Sequence, residues 1–189
     1  MAGEKKRPGR RAHLNDFYRD VSGSYVYTGT CYICTAGDRA RAALLRRLWL
    51  LTAVMAAAVV TGGCIAAPGM SRCFYVLLPY AAEVGCTGSV VWAMTRWQAR
   101  EYPMREYVYK ATVKALPGRC MAEAVMAGVG AAAEVVYLLL SGADGRGVMA
   151  ALYLLLKAVS LAAALFARQT VRKSTWEPTR KNGEIAANP

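Results

Sequence analysis

The sequence of 189 residues contains a single histidine, His13. Catalytic triads pair a histidine with other reactive groups, and zinc sites use several histidine or cysteine ligands. One histidine near the start of the chain supports neither kind of site. The stretch GADGRG at 142–147 lacks the Lys-Ser/Thr ending of a Walker-type phosphate loop. We therefore expect no enzyme activity, no metal and no cofactor.

Acidic residues are also few, with 12 against 24 basic residues, which gives a formal net charge of +12. Such an excess can indicate nucleic-acid binding, but the positions of the basic residues favour a membrane protein. Three segments hold 21 of the 24: residues 1–47, 96–119 and 168–189. The positive-inside rule places these segments in the cytoplasm. We expect both termini there, anionic lipid at that face, and no nucleic-acid partner.

The apolar residues, 56% of the chain, are gathered into four blocks. About 20 such residues are needed to cross a hydrocarbon core roughly 30 Å thick. Four blocks of this length favour a cell-membrane protein over a soluble helical bundle. We predict an all-α integral membrane protein, with four transmembrane helices in an up-down bundle. The predicted spans are 48–67, 73–95, 120–140 and 148–167.

Flanking segments complete the predicted organisation. SYVYT and TCYIC, on either side of Gly29, have the composition of a small β-hairpin. Such a hairpin must dock on lipid, on a partner or on the loop between spans two and three, which we call the inner loop. Asp38 is expected to be the N-cap of the helix that enters the first span. The predicted regions are a basic disordered start at 1–14, the hairpin segment at 15–37, the transmembrane domain at 38–167 and a basic tail at 168–189.

The loop between spans two and three has helical periodicity over about 103–116. Its apolar residues form one stripe, with Pro103 in the first turn and Pro117-Gly118 as the end. An amphipathic helix lying on the inner leaflet and a simple connector explain this pattern equally well. The stripe consists of Met104, Val108, Ala111 and Ala115.

Four ionisable residues lie inside the predicted spans: Glu83, Glu123, Glu134 and Lys157. At 1.5 Å per residue, Glu83, Lys157 and Glu134 reach depths from which they can meet near mid-membrane. Glu123 is expected near the inner surface, within reach of water or Arg119. The cluster either handles protons or cations, or fixes helix register through a buried ion pair. The second interpretation is favoured.

Two further features bear on the spans. Ala124, Gly128 and Ala132 lie four residues apart in span three, and small residues at this spacing allow close helix packing. Pro79 is expected to break span two near Glu83, which is a feature of helices that line transport sites.

The cysteines suggest redox or metal chemistry only weakly. Cys31 and Cys34 form a CxxC motif beside four spans, which resembles the disulfide-bond-forming oxidoreductases. In that family the reactive pair faces the outside, whereas this pair precedes span one on the basic side. We therefore expect two hairpin residues rather than a redox or zinc site. Cys64 and Cys73 flank the first outer turn, where a disulfide is geometrically possible in an oxidising compartment.

The sequence thus predicts a membrane protein without naming its activity. The first hypothesis is an accessory subunit, whose hairpin, inner helix and tail dock on a protein partner or on another copy of the chain. The alternative is a small proton- or cation-coupled transporter or channel that uses Glu83, Glu134 and Lys157. Its architecture resembles the small multidrug transporters, which also have four spans and a membrane glutamate. Their glutamate lies in the first span, where this chain has none.

Overall fold

A computed structural model describes most of the chain. Of the first two strands, only the backbone is described. The predicted disordered start and the end of the basic tail lie outside the described residues, as does His13. The described ranges are 17–19, 25–27, 29–99, 102–143 and 145–179.

Four helices are long and apolar enough to cross a membrane, which indicates a multi-pass membrane protein. Each has at least 25 residues. That length corresponds to about 38 Å, more than the roughly 30 Å of a hydrocarbon core. The four helices predicted from the apolar blocks are therefore confirmed, with shifted ends. They are α1 (Gly37–Cys64), α2 (Phe74–Gln98), α4 (Leu116–Ser141) and α5 (Gly147–Arg172), and a short α3 (Glu106–Ala111) precedes α4.

The helix ends correct three expectations. Ala36, not Asp38, occupies the N-cap of α1, without a side-chain capping bond; Asp38 lies in the first turn, 3.9 Å from Arg41. The helix ends at Cys64, three residues before the predicted end of the span, and Pro68 restricts the residue before it to extended backbone. The predicted break at Pro79 is wrong, because α2 is continuous through this residue.

The helices pack around the polar interior in the order α1, α5, α4, α2. Extensive contacts join α1 to α5, α5 to α4, and α4 to α2, whereas α1 and α2 touch far less. The bundle is therefore most open between α1 and α2.

The strands pair differently from the expected hairpin. β1 (Phe17–Arg19) pairs antiparallel with β2 (Tyr25–Tyr27). β3 (Cys31–Cys34) is the centre of a second sheet, between β4 (Met104–Arg105) and β5 (Trp176–Thr179). The hairpin across Gly29 is thus wrong: β3 takes partners from the inner loop and the tail, which lie more than 70 residues away and give it two paired edges.

The three-stranded sheet defines one end of the molecule. β3 precedes α1, β4 lies between α2 and α4, and β5 follows α5, so we call this side the sheet end. The opposite side, with connections 65–73 and 142–146, is the loop end. Aromatic rings hold the sheet to the inner loop: Tyr32 stacks on Tyr109 with centroids 4.1 Å apart, and Trp176 lies 5.8 Å from Tyr109.

The inner loop packs on the helices rather than forming the predicted helix over 103–116. Between 103 and 115 only Glu106–Ala111 are helical. Pro117 lies in the first turn of α4, which starts at Leu116, instead of ending a helix, because proline fits the first turn. Met104 and Val108, from the predicted apolar stripe, are at most 2% exposed. They join an apolar core that fills the sheet end together with Trp97 and Met94. This packing supports the connector interpretation.

Candidate functional site: a buried polar cluster between the helices

Large apolar side chains cover the outside of the four helices, and the charged residues of the spans face inward. Leu139, Phe74 and Leu50 are 65–81% exposed. In contrast, the three glutamates and the lysine in the spans are at most 3% exposed. A charge in hydrocarbon costs about 2.5–3.5 kcal/mol on the mildest scales, so turning these groups away from lipid is strongly favoured. The cluster comprises Glu83, Glu123, Glu134 and Lys157.

At the centre of this cluster, Lys157 of α5 forms a salt bridge with Glu83 of α2. Two tyrosine rings flank the ammonium group: its Nζ lies 4.8 Å from the ring centroid of Tyr80 and 4.9 Å from that of Tyr153. Desolvated cation–π contacts of this kind add to the stabilisation from the carboxylate. On the α4 side, a Cβ added to Gly130 would lie 3.5 Å from Cε of the lysine, at ordinary van der Waals distance.

Glu123 lies inside the bundle rather than near the inner surface. It is fully buried, and its Oε1 accepts a hydrogen bond of 3.1 Å from Ser160 Oγ. Electrostatic interactions connect it with Glu83 and Lys157. The expected contact with Arg119 is not formed, because that guanidinium donates to the backbone oxygen of Ser89 at 2.6 Å.

Glu134 lies closer to the loop end and is anchored by backbone. Its Oε1 accepts a hydrogen bond of 3.3 Å from the backbone N–H of Gly69, in the first loop. A Cβ at Gly69 would overlap the other carboxylate oxygen and approach Val76 to 2.9 Å, so only glycine leaves room here. Tyr153, whose ring flanks the Lys157 ammonium group, is fully buried beside the cluster.

Three carboxyl oxygens of this cluster, and the hydroxyl groups of two residues beside it, have no hydrogen-bond partner among the described residues. Buried polar groups are normally satisfied, since leaving one unpaired costs about 1–3 kcal/mol. Three carboxyl groups also share one ammonium group, so the cluster holds more acid than it can neutralise by ion pairing. Such a set can take up protons. The unpartnered atoms are Glu83 Oε1, Glu123 Oε2, Glu134 Oε2 and the hydroxyls of Thr87 and Tyr153.

An apolar core lies on one side of the cluster and a cavity on another. Toward the sheet end, the apolar core that includes Met55, Met94 and Trp97 separates the cluster from the sheet. On the α1–α2 side, a cavity of about 470 Å³ lies between the two helices, and Tyr80 and Thr87 line it. Tyr80 contacts the lysine and Thr87 faces Glu123, so this cavity adjoins the cluster.

The buried face of α4 differs in part from the predicted small-residue stripe. Ala124 is buried and Gly128 is half-buried against Leu161, but Ala132 is exposed. Steps of four residues advance by about 400°, so a four-residue stripe drifts around the helix. Steps alternating between three and four stay on one face. All the buried residues of α4 except Ala124 follow this alternation: Leu116, Cys120, Glu123, Ala127, Gly130, Glu134 and Tyr137.

Sequence reasoning missed several polar members of the cluster, namely Tyr80, Thr87, Tyr153, Ser160 and Gly69. The same alternation was available as a signal in α5, where Tyr153, Lys157 and Ser160 are spaced by four and three residues. Gly69 carried no signal, because its contact with Glu134 joins residues 65 positions apart.

None of the cysteines in the described part of the chain forms a disulfide, and Cys64 and Cys73 are free thiols. Cys31 and Cys34 are buried at opposite ends of β3, whose extended backbone separates them. No group of three or more His, Cys, Asp or Glu side chains suited to a metal occurs among the described residues.

Comparison with known proteins adds no family to this description. The chain matches no protein-family model, no curated protein and no solved structure at a significant level.

Proposed function

We propose that the protein is a small membrane transporter or channel that moves protons or small cations through the buried polar cluster. One observation carries the proposal: in a buried cluster of three carboxyl groups and one ammonium group, each carboxyl group has one oxygen without a partner among the described residues. A purely structural ion pair is expected to satisfy its own groups. Acidic groups with unused oxygens in a membrane interior are typical of proton and cation pathways.

The proposed topology is an up-down bundle in the cell membrane with the sheet end in the cytoplasm. The basic segments that meet at the sheet end support this orientation under the positive-inside rule. In this orientation the cluster extends toward the outside through Glu134, whereas the apolar core blocks the cytoplasmic side. Transport would then require a change in the packing of this core.

Flux measurements on the purified full-length protein in liposomes test the proposal. A pH-sensitive dye inside the vesicles reports protons, and imposed Na⁺ and K⁺ gradients test cations. We expect flux above that of empty vesicles, with a decrease of at least roughly tenfold (1.4 kcal/mol) in Glu123→Gln. This change keeps the shape of the side chain and removes its charge.

Glu177→Gln is the matched control, because it makes the same change on an exposed residue of β5 and is expected to keep normal flux. The charge-neutral pair Glu83→Gln with Lys157→Met is a second variant, designed to fold and to lose flux. Absence of flux for all three ions, or full flux in Glu123→Gln, would overturn the proposal.

An accessory subunit is the second proposed function, and a different observation favours it. β3, β4 and β5 join the segments before α1, between α2 and α4, and after α5 into one small sheet. Such a unit presents a preformed surface to a protein partner. Purification in mild detergent with mass spectrometry tests this proposal: a companion at equal amount that is lost on Tyr32→Ala would support it, and a clean homo-oligomer would count against it.

A further inference from the structure

A separate cavity of about 400 Å³ lies at the sheet end, where the start of α1 meets the end of α5. Its volume is within the range of small-molecule sites in proteins. It shares no lining residue with the polar cluster, and its lining mixes basic and apolar side chains. This cavity is independent of the proposed transport activity.

Two cations from facing helices line the cavity: Arg47 of α1 and Lys173, directly after α5. No acidic residue contributes to the lining, and neither cation forms a salt bridge within the described residues. Two like charges on one cavity repel each other, so an anion between them is favourable. The amide of Gln169 adds a neutral donor.

The start of α1 strengthens the preference for an anion. Ala36 and Ala40 of its first turns line the cavity, and the N-cap makes no side-chain hydrogen bond. The first backbone N–H groups of a helix carry a partial positive charge and bind phosphate readily. The backbone N–H groups and the two cationic side chains therefore both favour an anion.

Apolar residues form the rest of the lining. Phe166 is 55% exposed on the outer surface of α5, and Leu44 is half-buried on α1. Phe166 lies within the apolar part of α5, whereas Lys173 lies beyond its end. Arg47 lies ten residues into α1, farther from the sheet than Leu44 and at about the level of Phe166, whereas Lys173 lies at the sheet end. Cationic and apolar groups therefore alternate along the cavity.

We propose that this cavity binds the headgroup of an anionic phospholipid, with the phosphate held by Lys173 and Arg47 and the glycerol and first acyl carbons against Phe166. A free phosphate is an anion but has no apolar part that could contact Phe166 and Leu44. A phospholipid has both an anionic and an apolar part, and the cavity opens where an apolar helix surface meets basic residues.

Thermal unfolding of the full-length protein in a neutral detergent tests this assignment, with a phosphatidylglycerol, a phosphatidylcholine or sodium phosphate added at equal concentration. We expect phosphatidylglycerol to raise the midpoint by several degrees, the size expected for tight ligand binding to the folded state. Phosphatidylcholine and inorganic phosphate should give little or no shift.

Variants locate the effect. Arg47→Gln and Lys173→Gln should each weaken phosphatidylglycerol binding at least roughly tenfold (1.4 kcal/mol). Arg46→Gln and Arg172→Gln remove neighbouring charges that do not line the cavity, and should keep the shift. Arg47→Lys should retain most of it. An equal shift with phosphatidylcholine or inorganic phosphate, or an equal loss in the neighbouring variants, would overturn the proposal.

Discussion

The salt bridge between Lys157 and Glu83 joins α5 to α2, two helices that are not neighbours in the packing order of the bundle. It crosses the interior of the bundle and does not lie at a contact between neighbouring helices. The two side chains are at most 3% exposed, so solvent does not screen their interaction. This ion pair places charged groups at the centre of the molecule, where the loss of either partner has a large effect.

Lys157→Met should strongly destabilise the protein, because it leaves Glu83 buried without a cation. Removing one partner of a buried pair costs about 3–5 kcal/mol, whereas removing both with apolar or neutral residues of similar size is often nearly neutral. We therefore expect the double variant with Glu83→Gln to recover much of the loss. Unfolding of the single and double variants in detergent measures the coupling. Additive losses would contradict the interaction.

Gly69→Ala should lower the thermal midpoint, because the added methyl group would overlap the Glu134 carboxylate and crowd Val76. It would also disturb the hydrogen bond from the Gly69 N–H. Overpacking of this kind costs about 1–3 kcal/mol. Gly85→Ala is the matched control, since nothing lies within 4 Å of its new methyl group. An equal effect of the two changes would show that the contact with Glu134 has no energetic role.

Gly63→Ala should separate α1 from α2 near the cavity between them. Tyr80 donates a hydrogen bond of 3.2 Å to the backbone oxygen of Val59, and its hydroxyl occupies the place that a Cβ at Gly63 would take. The change should destabilise by about 1–3 kcal/mol. Gly62→Ala, whose methyl group would meet Tyr153 at 3.9 Å, should be tolerated. Thermal unfolding of both variants compares the two positions directly.

Trp176→Ala should loosen the three-stranded sheet. The indole lies 5.8 Å from the rings of both Trp97 and Tyr109, so the change removes two aromatic contacts and part of the burial at the sheet end. We expect a loss of about 1–3 kcal/mol. Limited proteolysis between β3 and α1 gives a second readout. The neighbouring exposed residue provides a control, Glu177→Ala, which should behave as wild type.

Thiol labelling should follow burial. A membrane-impermeant maleimide should react with Cys64, which is exposed, well before Cys31 and Cys34, which are 3% and 6% exposed. In intact cells, labelling of Cys64 from outside would support the proposed orientation, and exclusive labelling from the cytoplasm would contradict it. Rapid labelling of the CxxC pair in the folded protein would restore the redox interpretation.

Hydropathy predicted the four helices because each apolar block meets the length requirement by itself, without information from the rest of the chain. The position of Glu123 could not be obtained in this way. Distance from the helix end suggested access to water, but the rotational position of Glu123 on α4 turns it toward Ser160. The depth of a residue along the helix and the direction in which its side chain faces are separate quantities. Only the alternation of three- and four-residue spacings indicates the direction.

The sheet was beyond local pattern reasoning for a related reason. β3 has the composition of a strand, which the sequence indicated, but its partners Met104–Arg105 and Trp176–Thr179 are set by where the helices bring the chain back. Glycine and β-prone residues nearby favoured a local hairpin. Contacts between distant segments outweighed this preference, because they also bury Tyr32 against Tyr109.

The pairing of β3 with β5 has a consequence for biosynthesis. Cys34 pairs with Trp176, about 140 residues later in the chain. At translation rates of roughly 5–20 residues per second, β5 is synthesised on the order of 7–30 seconds after β3. All four long helices are synthesised in that interval. The sheet can therefore close only after all four long helices have been made, and a product truncated before β5 would expose an unpaired strand edge to the quality-control machinery of the cell.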